Sequence, residues 1–474
     1  MKCRLRRVSA AIMLGTALAL PLEGAKARSH RSELTESQLQ KAVSFYNSGR
    51  YQEAAQLLES IEQQLPASFE VEELLGLVYS AESKDDEASP HLERAVQLKP
   101  SSAAARTNLA VSLARLGKST LAEAEFKKAI QAEPNNFSAN HNFGEFYARA
   151  GKPEAAIPYF QTAQRAQPSS YGNGYDLALA LLESGKLVDA RRQIQALLEL
   201  RDRSELHALL ADVEEKSGNY VAAANEYQQA AQMEPSESNI FHWGSELLLH
   251  QTLNPAIEVF SKGVQRYPNS PRLRVGLGLA LYWSGRYEDA VKALIRATDL
   301  SPSDSRPYYF LSKAYAHSQG QADEVIKRFQ RFSRLRPQDS RATYYYAMSL
   351  WKGKQNVASG PSLDHVVMLL SRAIQLDPAF AQAHLELGDL YSQQHKYAEA
   401  VPEYRRAIEL DSKLVDAYYR LGQAYARLGN AEMAKEEFQI HKRLYQQHLA
   451  KWDAQQEEIR QFTFSRQAEA SRPQ

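Results

Sequence analysis

The chain of 474 residues carries a single cysteine, Cys3. One thiol excludes an internal disulfide framework and any metal site built from several cysteines. An excess of one charge is also missing. Lys and Arg number 57 against 56 Asp and Glu, a net of +1, so the basic surplus usual for a nucleic-acid binder is absent. No long block of like charge occurs, which leaves no acidic tail and no polybasic membrane anchor. Catalytic signatures are lacking too: the chain has no HExxH, GxSxG, Walker or EF-hand loop. Gly276-Leu277-Gly278 imitates part of a dinucleotide loop, but no strand precedes it and it falls inside a helical pattern. The 12 histidines are scattered, and the most suggestive pair, His384 and His395, lacks a third ligand at a recognisable spacing. These absences point to a non-enzymatic protein without cofactor or metal.

What is present begins with an atypical N-terminus. Lys2, Arg4, Arg6 and Arg7 precede the apolar run Ala10 to Leu20, which is too short to span a bilayer comfortably, and Ala25-Lys26-Ala27 follows as a small-x-small cleavage site. Residues 1–27 are expected to be a signal peptide, which makes the protein exported, periplasmic or secreted, with no stable membrane span after cleavage. Arg6-Arg7 is only a weak twin-arginine hint. Removing this segment takes Cys3 with it and leaves 52 basic against 55 acidic residues. Residues 28–34 read as a polar linker, and Thr35 with Gln38 as a capping box that starts the first helix.

The rest of the chain is periodic. Pro66, Pro100, Pro134 and Pro168 fall at intervals of 34; the next place holds Asp202, and Pro235, Pro268, Pro302, Pro337 and Pro378 then continue the series, the last after the longer repeat 10. Between Ser138 and Pro168 the pattern is complete. A helix bearing Phe143, Gly144 and Tyr147 stops at Gly151, and a second, opened by Pro153, carries Ala156, Phe160 and Ala163 on one stripe. The small residue of the first helix recurs as Gly76, Gly244, Gly278, Gly388 and Gly422, and that of the second as Ala88, Ala122, Ala290 and Ala400. Small residues at these places let two helices approach closely, so each unit is a helical hairpin that buries its faces only by stacking on its neighbours.

At these residues the chain resembles the tetratricopeptide repeat family, whose hallmark is the 34-residue helix-turn-helix. The resemblance implies an all-α fold, a right-handed α-α superhelix of about twelve hairpins over residues 35–448, and a groove lined by the first helices that receives a protein or peptide partner. Residues 449–474 read as a helical extension and a tail. Chaperone-binding relatives grip a C-terminal carboxylate with lysine, asparagine and arginine. Here Asn108 and Asn142, and Arg115 and Arg149, are equivalent pairs, but the lysines are missing and that clamp is not supported.

Departures from the period point to a site. Repeat 9 carries Val325 and Phe332 where small residues belong, and repeat 10 inserts Gly353, Gly360 and Pro361 in a long turn over about 353–362. Repeats 8 to 10 place Arg272, Arg306 and Arg341 at one equivalent position and add Tyr282, Trp283, Tyr309, Lys313, Tyr344, Tyr345, Met348 and Trp351. Arginine with tyrosine and tryptophan is the composition of binding hot spots. The expectation is a scaffold that binds an extended segment of another protein at these residues. A glycan or exopolysaccharide binder in polymer export is the alternative, and the regulatory half of a glycosyltransferase a third reading. Two further expectations concern helix geometry. Pro158 and Pro402 share one position inside second helices and are expected to bend them. In the last helix Phe438, Tyr445, Trp452 and Ile459 lie seven apart, a stripe read as a cap on repeat 12 in a monomer, in preference to a homodimer through Trp452 and Ile459.

Overall fold

The proline that closes each repeat also sets where the next helix begins. Two residues beyond Pro100, Pro134, Pro268 and Pro302 stand Ser102, Asn136, Ser270 and Asp304, each an N-cap whose side chain accepts a backbone N–H of the first helical turn. Proline stops one helix, the short polar side chain starts another, and the 34-residue sequence period becomes a structural one.

The computed structural model describes residues 26–354 and 363–447, and among them only helices and their connections occur. Two compact units are present, one ending at Ser217 and the other beginning at Gly218. The first holds α1 (Lys26–Asn47), α2 (Tyr51–Glu62), α3 (Phe69–Ala81), α4 (Asp85–Leu98), α5 (Ala103–Arg115), α6 (Ser119–Ala132), α7 (Phe137–Arg149), α8 (Pro153–Ala166), α9 (Tyr171–Glu183), α10 (Leu187–Leu200) and α11 (Ser204–Lys216). The second holds α12 (Tyr220–Met233), α13 (Glu237–Leu249), α14 (Leu253–Arg266), α15 (Pro271–Trp283), α16 (Tyr287–Leu300), α17 (Ser305–His317), α18 (Ala322–Leu335), α19 (Ser340–Lys354), α20 (Leu363–Leu376), α21 (Ala381–Gln393), α22 (Tyr397–Leu410) and α23 (Val415–Arg427). A last helix, α24, covers 431–447. Within each unit a helix packs on the next one in sequence and, at the first helices of neighbouring hairpins, on the next but one.

One contact recurs in hairpin after hairpin. The small residue of the first helix faces a large side chain sixteen places on, in the second helix: Gly76 against Leu92, Gly144 against Phe160, Gly244 against Phe260, Gly278 against Leu294, Gly388 against Tyr404 and Gly422 against Phe438. A Cβ on any of them would stand 2.4–2.8 Å from that side chain, so only glycine fits without movement. Ala88, Ala122, Ala156, Ala290 and Ala400 are fully buried, as a close helix crossing requires. At the hairpin turns the chain takes a left-handed residue, Gly151 at φ +71° for example, and Lys152 N–H returns to the Tyr147 carbonyl at 3.0 Å. Ser83, Gln251 and His395 hold the same conformation without being glycine.

Two expectations change. Residues 28–34 are helical and not a linker: they belong to α1, so Thr35 lies inside it and cannot be its cap, consistent with a stretch free of glycine and proline from Lys26 to Asn47. Pro90 shares with Pro158 and Pro402 the sixth position of a second helix, and α4, α8 and α22 each run on past that residue. Phe438 is the facing partner of Gly422 inside the last hairpin, and Tyr445 is 52% exposed, so this part of the heptad stripe does not form an added cap. Trp452 and Ile459, like most of the expected signal peptide and residues 355–362 of the long turn, lie outside the described residues.

Candidate functional site

Repeat 9 breaks the recurring contact, and a cleft results. Its first helix, α17, offers Ser312 where repeat 8 has Gly278, and its second, α18, offers Phe329 where repeat 8 has Leu294. Val325 and Phe332 replace the two small residues of the second helix and are fully buried. The Phe332 ring stacks on Tyr308 of α17 at a centroid distance of 4.0 Å and 10°, with Phe329 6.0 Å from the same tyrosine. Aromatic rings occupy the space that an alanine stripe would have closed.

The turn between α17 and α18 has four residues, Ser318 to Gln321, where the turn of repeat 8 has three. Gln321 takes the left-handed conformation at φ +64°. The extra length is held from the preceding hairpin. Glu288 of α16 accepts the Gln319 N–H at 2.7 Å and the Ser318 hydroxyl at 2.9 Å. The Gln319 amide above all holds the Glu288 carboxyl below its ordinary range, so the clip is a charge-assisted one at neutral pH.

Between this splayed hairpin and α19 lies a cleft of about 910 Å³. Tyr315, Phe329, Tyr345, Met348 and Trp351 give it an apolar and aromatic lining, and Ser312, Ser318, Ser349 and Lys352 add polar groups. Lys352 is fixed. Its ammonium donates to the Tyr315 carbonyl and, at 2.5 Å, to the Ala316 carbonyl, which caps the C-terminal end of α17, and it stands 4.9 Å from the Tyr315 ring centroid. Burial pulls its pKa below the ordinary lysine value. Tyr315 is 3% exposed, and among the described residues its buried hydroxyl has no hydrogen-bond partner. Burial, helped by the charge of Asp323, pushes this phenol up to about 12. A buried hydroxyl left unsatisfied is a standing cost of about 1–3 kcal/mol.

Of the residues expected from sequence, Tyr345, Met348 and Trp351 come together at this cleft. Tyr345 packs 5.7 Å from Phe329, and Trp351 donates its indole N–H to Gln393 at 3.0 Å. Tyr344 points elsewhere, its ring 4.9 Å from Phe380, where burial first and Glu386 second raise its pKa well above the ordinary value. The three arginines do not form a ladder of unengaged guanidinium groups. Arg272 lies 3.9 Å over the Phe241 ring, and Arg306 is clamped at 2.6 Å by its own N-cap, Asp304. Arg341 is exposed in the first turn of α19, where its backbone N–H is held by Asp339. Tyr282 packs against Tyr287 and His317, while Trp283, Tyr309 and Lys313 are exposed, with Lys313 5.9 Å from the Tyr309 ring. Sequence reasoning missed Tyr315, Phe329, Ser318 and Lys352. The signal that could have found them was the loss of small residues in repeat 9 together with its lengthened turn.

The residues compared with a carboxylate clamp are engaged within the chain. Asn108 reaches Glu73 at 3.5 Å, Arg115 the Ser80 carbonyl at 3.2 Å, Asn142 the Ser138 carbonyl at 2.8 Å, and Arg149 stands 3.7 Å from Glu145. His384 pairs with Glu403 at 2.6 Å and His395 with Tyr397 at 3.0 Å.

Comparison with known proteins rests on this geometry. Sequence models described as tetratricopeptide repeat match residues 36–68, 74–137, 107–171, 147–213, 247–314 and 416–445, and one described as TPR repeat matches 388–429. The splayed repeat 9 and the long repeat 10 fall largely between the stretches 247–314 and 388–429. Protein bimA of Emericella nidulans is 26% identical over 184 residues, 39% of this chain and 22% of that protein. Anaphase-promoting complex subunit 3 of Schizosaccharomyces pombe is 26% identical over 201 residues, 42% of this chain and 29% of that protein. This chain thus spans less than a third of either relative. Among solved structures, the anaphase-promoting complex hetero-tetramer Cut9-Hcn1 is similar at 13% identity and a TM-score of 0.38, over 85% of this chain and 92% of that one. With a helical hairpin repeated along the chain, a glycine contact recurring at sixteen residues and repeat models matching from residue 36 to residue 445, the chain belongs to the tetratricopeptide repeat family.

Proposed function

We propose that this protein is a non-enzymatic scaffold that binds an extended segment of a partner protein and anchors it in the cleft of repeats 9 and 10. One observation carries the reading: the cleft of about 910 Å³ combines aromatic residues with serines and the fixed Lys352. Such a cleft suits a side chain with an apolar body and a polar tip, docked among Tyr345, Met348 and Trp351. The curated relative named as a subunit of the anaphase-promoting complex supports an assembly role for this kind of repeat. The basic start and apolar run of residues 1–27 support action outside the cytoplasm. Among the described residues no helix is long and apolar enough to cross a membrane.

Affinity capture from a periplasmic extract, with wild-type protein and with Met348→Ala and Trp351→Ala combined, tests this reading. The expected result is one protein partner retained by wild type and lost by a variant of unchanged helicity. Saturable binding to a polysaccharide array without any protein partner would favour the glycan alternative and overturn the scaffold reading.

A further inference from the structure

Three metal-ligating side chains converge in the first unit, on residues to which neither the repeat pattern nor the cleft assigns a role. His141 and Glu145 lie one helical turn apart on α7, and Asp176 comes from α9, the first helix of the next hairpin. One ligand atom from each lies within 4.8 Å of the others. The side chains of all three are mostly buried, at 17%, 19% and 11% exposure.

The ring orientation and tautomer of His141 are set from outside the cluster. Asn173, 1% exposed, donates its amide to the Phe160 carbonyl at 2.9 Å and to Gln164 at 2.7 Å. A backbone carbonyl can only accept, so the Asn173 amide cannot be turned round, and its oxygen must face His141 Nδ1 at 3.1 Å. Nδ1 therefore carries the proton. In the neutral ring Nε2 is then a bare lone pair, and it stands 3.9 Å from Asp176 Oδ2. That separation is too long for a hydrogen bond. It is close to the separation of about 3.4 Å between two ligands of a tetrahedral ion bound at about 2.0–2.1 Å. Burial, and then the charge of Glu145, pushes the Asp176 carboxyl up to about 7; with both carboxyls ionised three acceptor atoms face one another, with a histidine oriented by an outer hydrogen bond as metal-bound histidines are. A cation, Arg149, stands 3.7 Å from Glu145 and is 56% exposed.

We propose that His141, Glu145 and Asp176 bind a divalent transition-metal ion that accepts imidazole and carboxylate, zinc(II) foremost, and so tie the fourth hairpin to the fifth. Imidazole with two carboxylates suits zinc better than magnesium or calcium, which take oxygen ligands alone. Three protein ligands leave one position for water. The sequence reading found no metal site because it sought spacing along the chain, whereas Asp176 is brought in from the neighbouring hairpin.

The test uses the full-length chain, stripped with chelator and titrated with cobalt(II), whose visible spectrum reports coordination geometry. The expected result is the intense visible absorption of a tetrahedral site, saturating at one equivalent and displaced by zinc(II). His141→Ala abolishes it, and Asp176→Asn weakens binding about 10-fold or more, with helicity unchanged in both. Should His141→Ala lose helicity, Glu145→Gln takes its place with the same expectation. Absence of tetrahedral absorption in the wild type overturns the proposal. So does absorption that persists in the folded variants, or that vanishes only with His91→Ala, which would place the ion at another cluster, of Glu62, Glu72 and His91.

Discussion

Gly278 in α15 and Leu294 in α16 face each other so closely that a Cβ on the glycine would lie 2.5 Å from the leucine Cγ. The pair stands for a contact made in six of the hairpins, and it sets the distance at which the two helices cross. Where the pair is replaced, by Ser312 and Phe329 in repeat 9, the hairpin splays and a cleft appears.

Replacing Gly278 by leucine is expected to cost about 1–3 kcal/mol through overpacking, because the side chain meets Leu294 inside a buried crossing. Chemical denaturation of the purified variant measures this. An unchanged midpoint and slope would show that the crossing can widen freely, and the close-approach account would fail.

Tyr315→Phe removes a buried hydroxyl that has no partner among the described residues. Removing an unsatisfied polar atom is expected to leave stability unchanged or to raise it by up to about 1 kcal/mol. Partner capture is expected to weaken at the same time. A loss of more than about 1 kcal/mol in the melting analysis would mean that the hydroxyl is already satisfied.

Trp351 and the two arginines are expected to behave oppositely. Trp351→Ala truncates an aromatic of the cleft and is expected to weaken capture by about 2 kcal/mol, roughly 30-fold. Arg306→Ala with Arg341→Ala is expected to leave capture within about twofold, because Arg306 is spent on Asp304 and both side chains lie in the first turns of their helices, outside the cleft lining. Quantitative pull-down of the variants at fixed salt decides between them; a stronger loss with the arginines would return the site to the sequence-based placement.

Stability of the second unit is expected to depend on pH through Glu386. Burial pushes this carboxyl from an ordinary value near 4.5 up to about 7. The folded state therefore holds the proton more tightly than the unfolded chain. Its contribution is fully present below about pH 4.5 and is lost as pH rises through about 7, a difference of about 3 kcal/mol. Glu386→Gln is expected to abolish that part of the dependence, seen as a smaller gap between denaturation midpoints at pH 5 and pH 8 than in the wild type. Equal gaps in the two proteins would show that the carboxyl titrates normally.

The repeated architecture was legible in the primary structure because its information is local and periodic. A proline every 34 residues, a polar N-cap two residues later, a glycine at the hairpin turn and a small residue facing a large one all act within a single hairpin. The same locality made Val325, Phe332 and the long turn visible as departures. What those departures do was decided by tertiary structure. Whether Tyr345 lines a cleft while Tyr344 packs away from it depends on the rotation of α19 against a splayed neighbour, which spacing along one helix cannot report. The arginines shared a register position, yet register does not show that Asp304 takes one of them and Phe241 another. The helical state of residues 28–34 escaped the sequence reading for a related reason: a polar stretch without breakers carries no marker of its own conformation. His141 and Asp176, thirty-five positions apart, become neighbours only when two hairpins stack, because a ligand set distributed over separate repeats leaves no motif in the sequence.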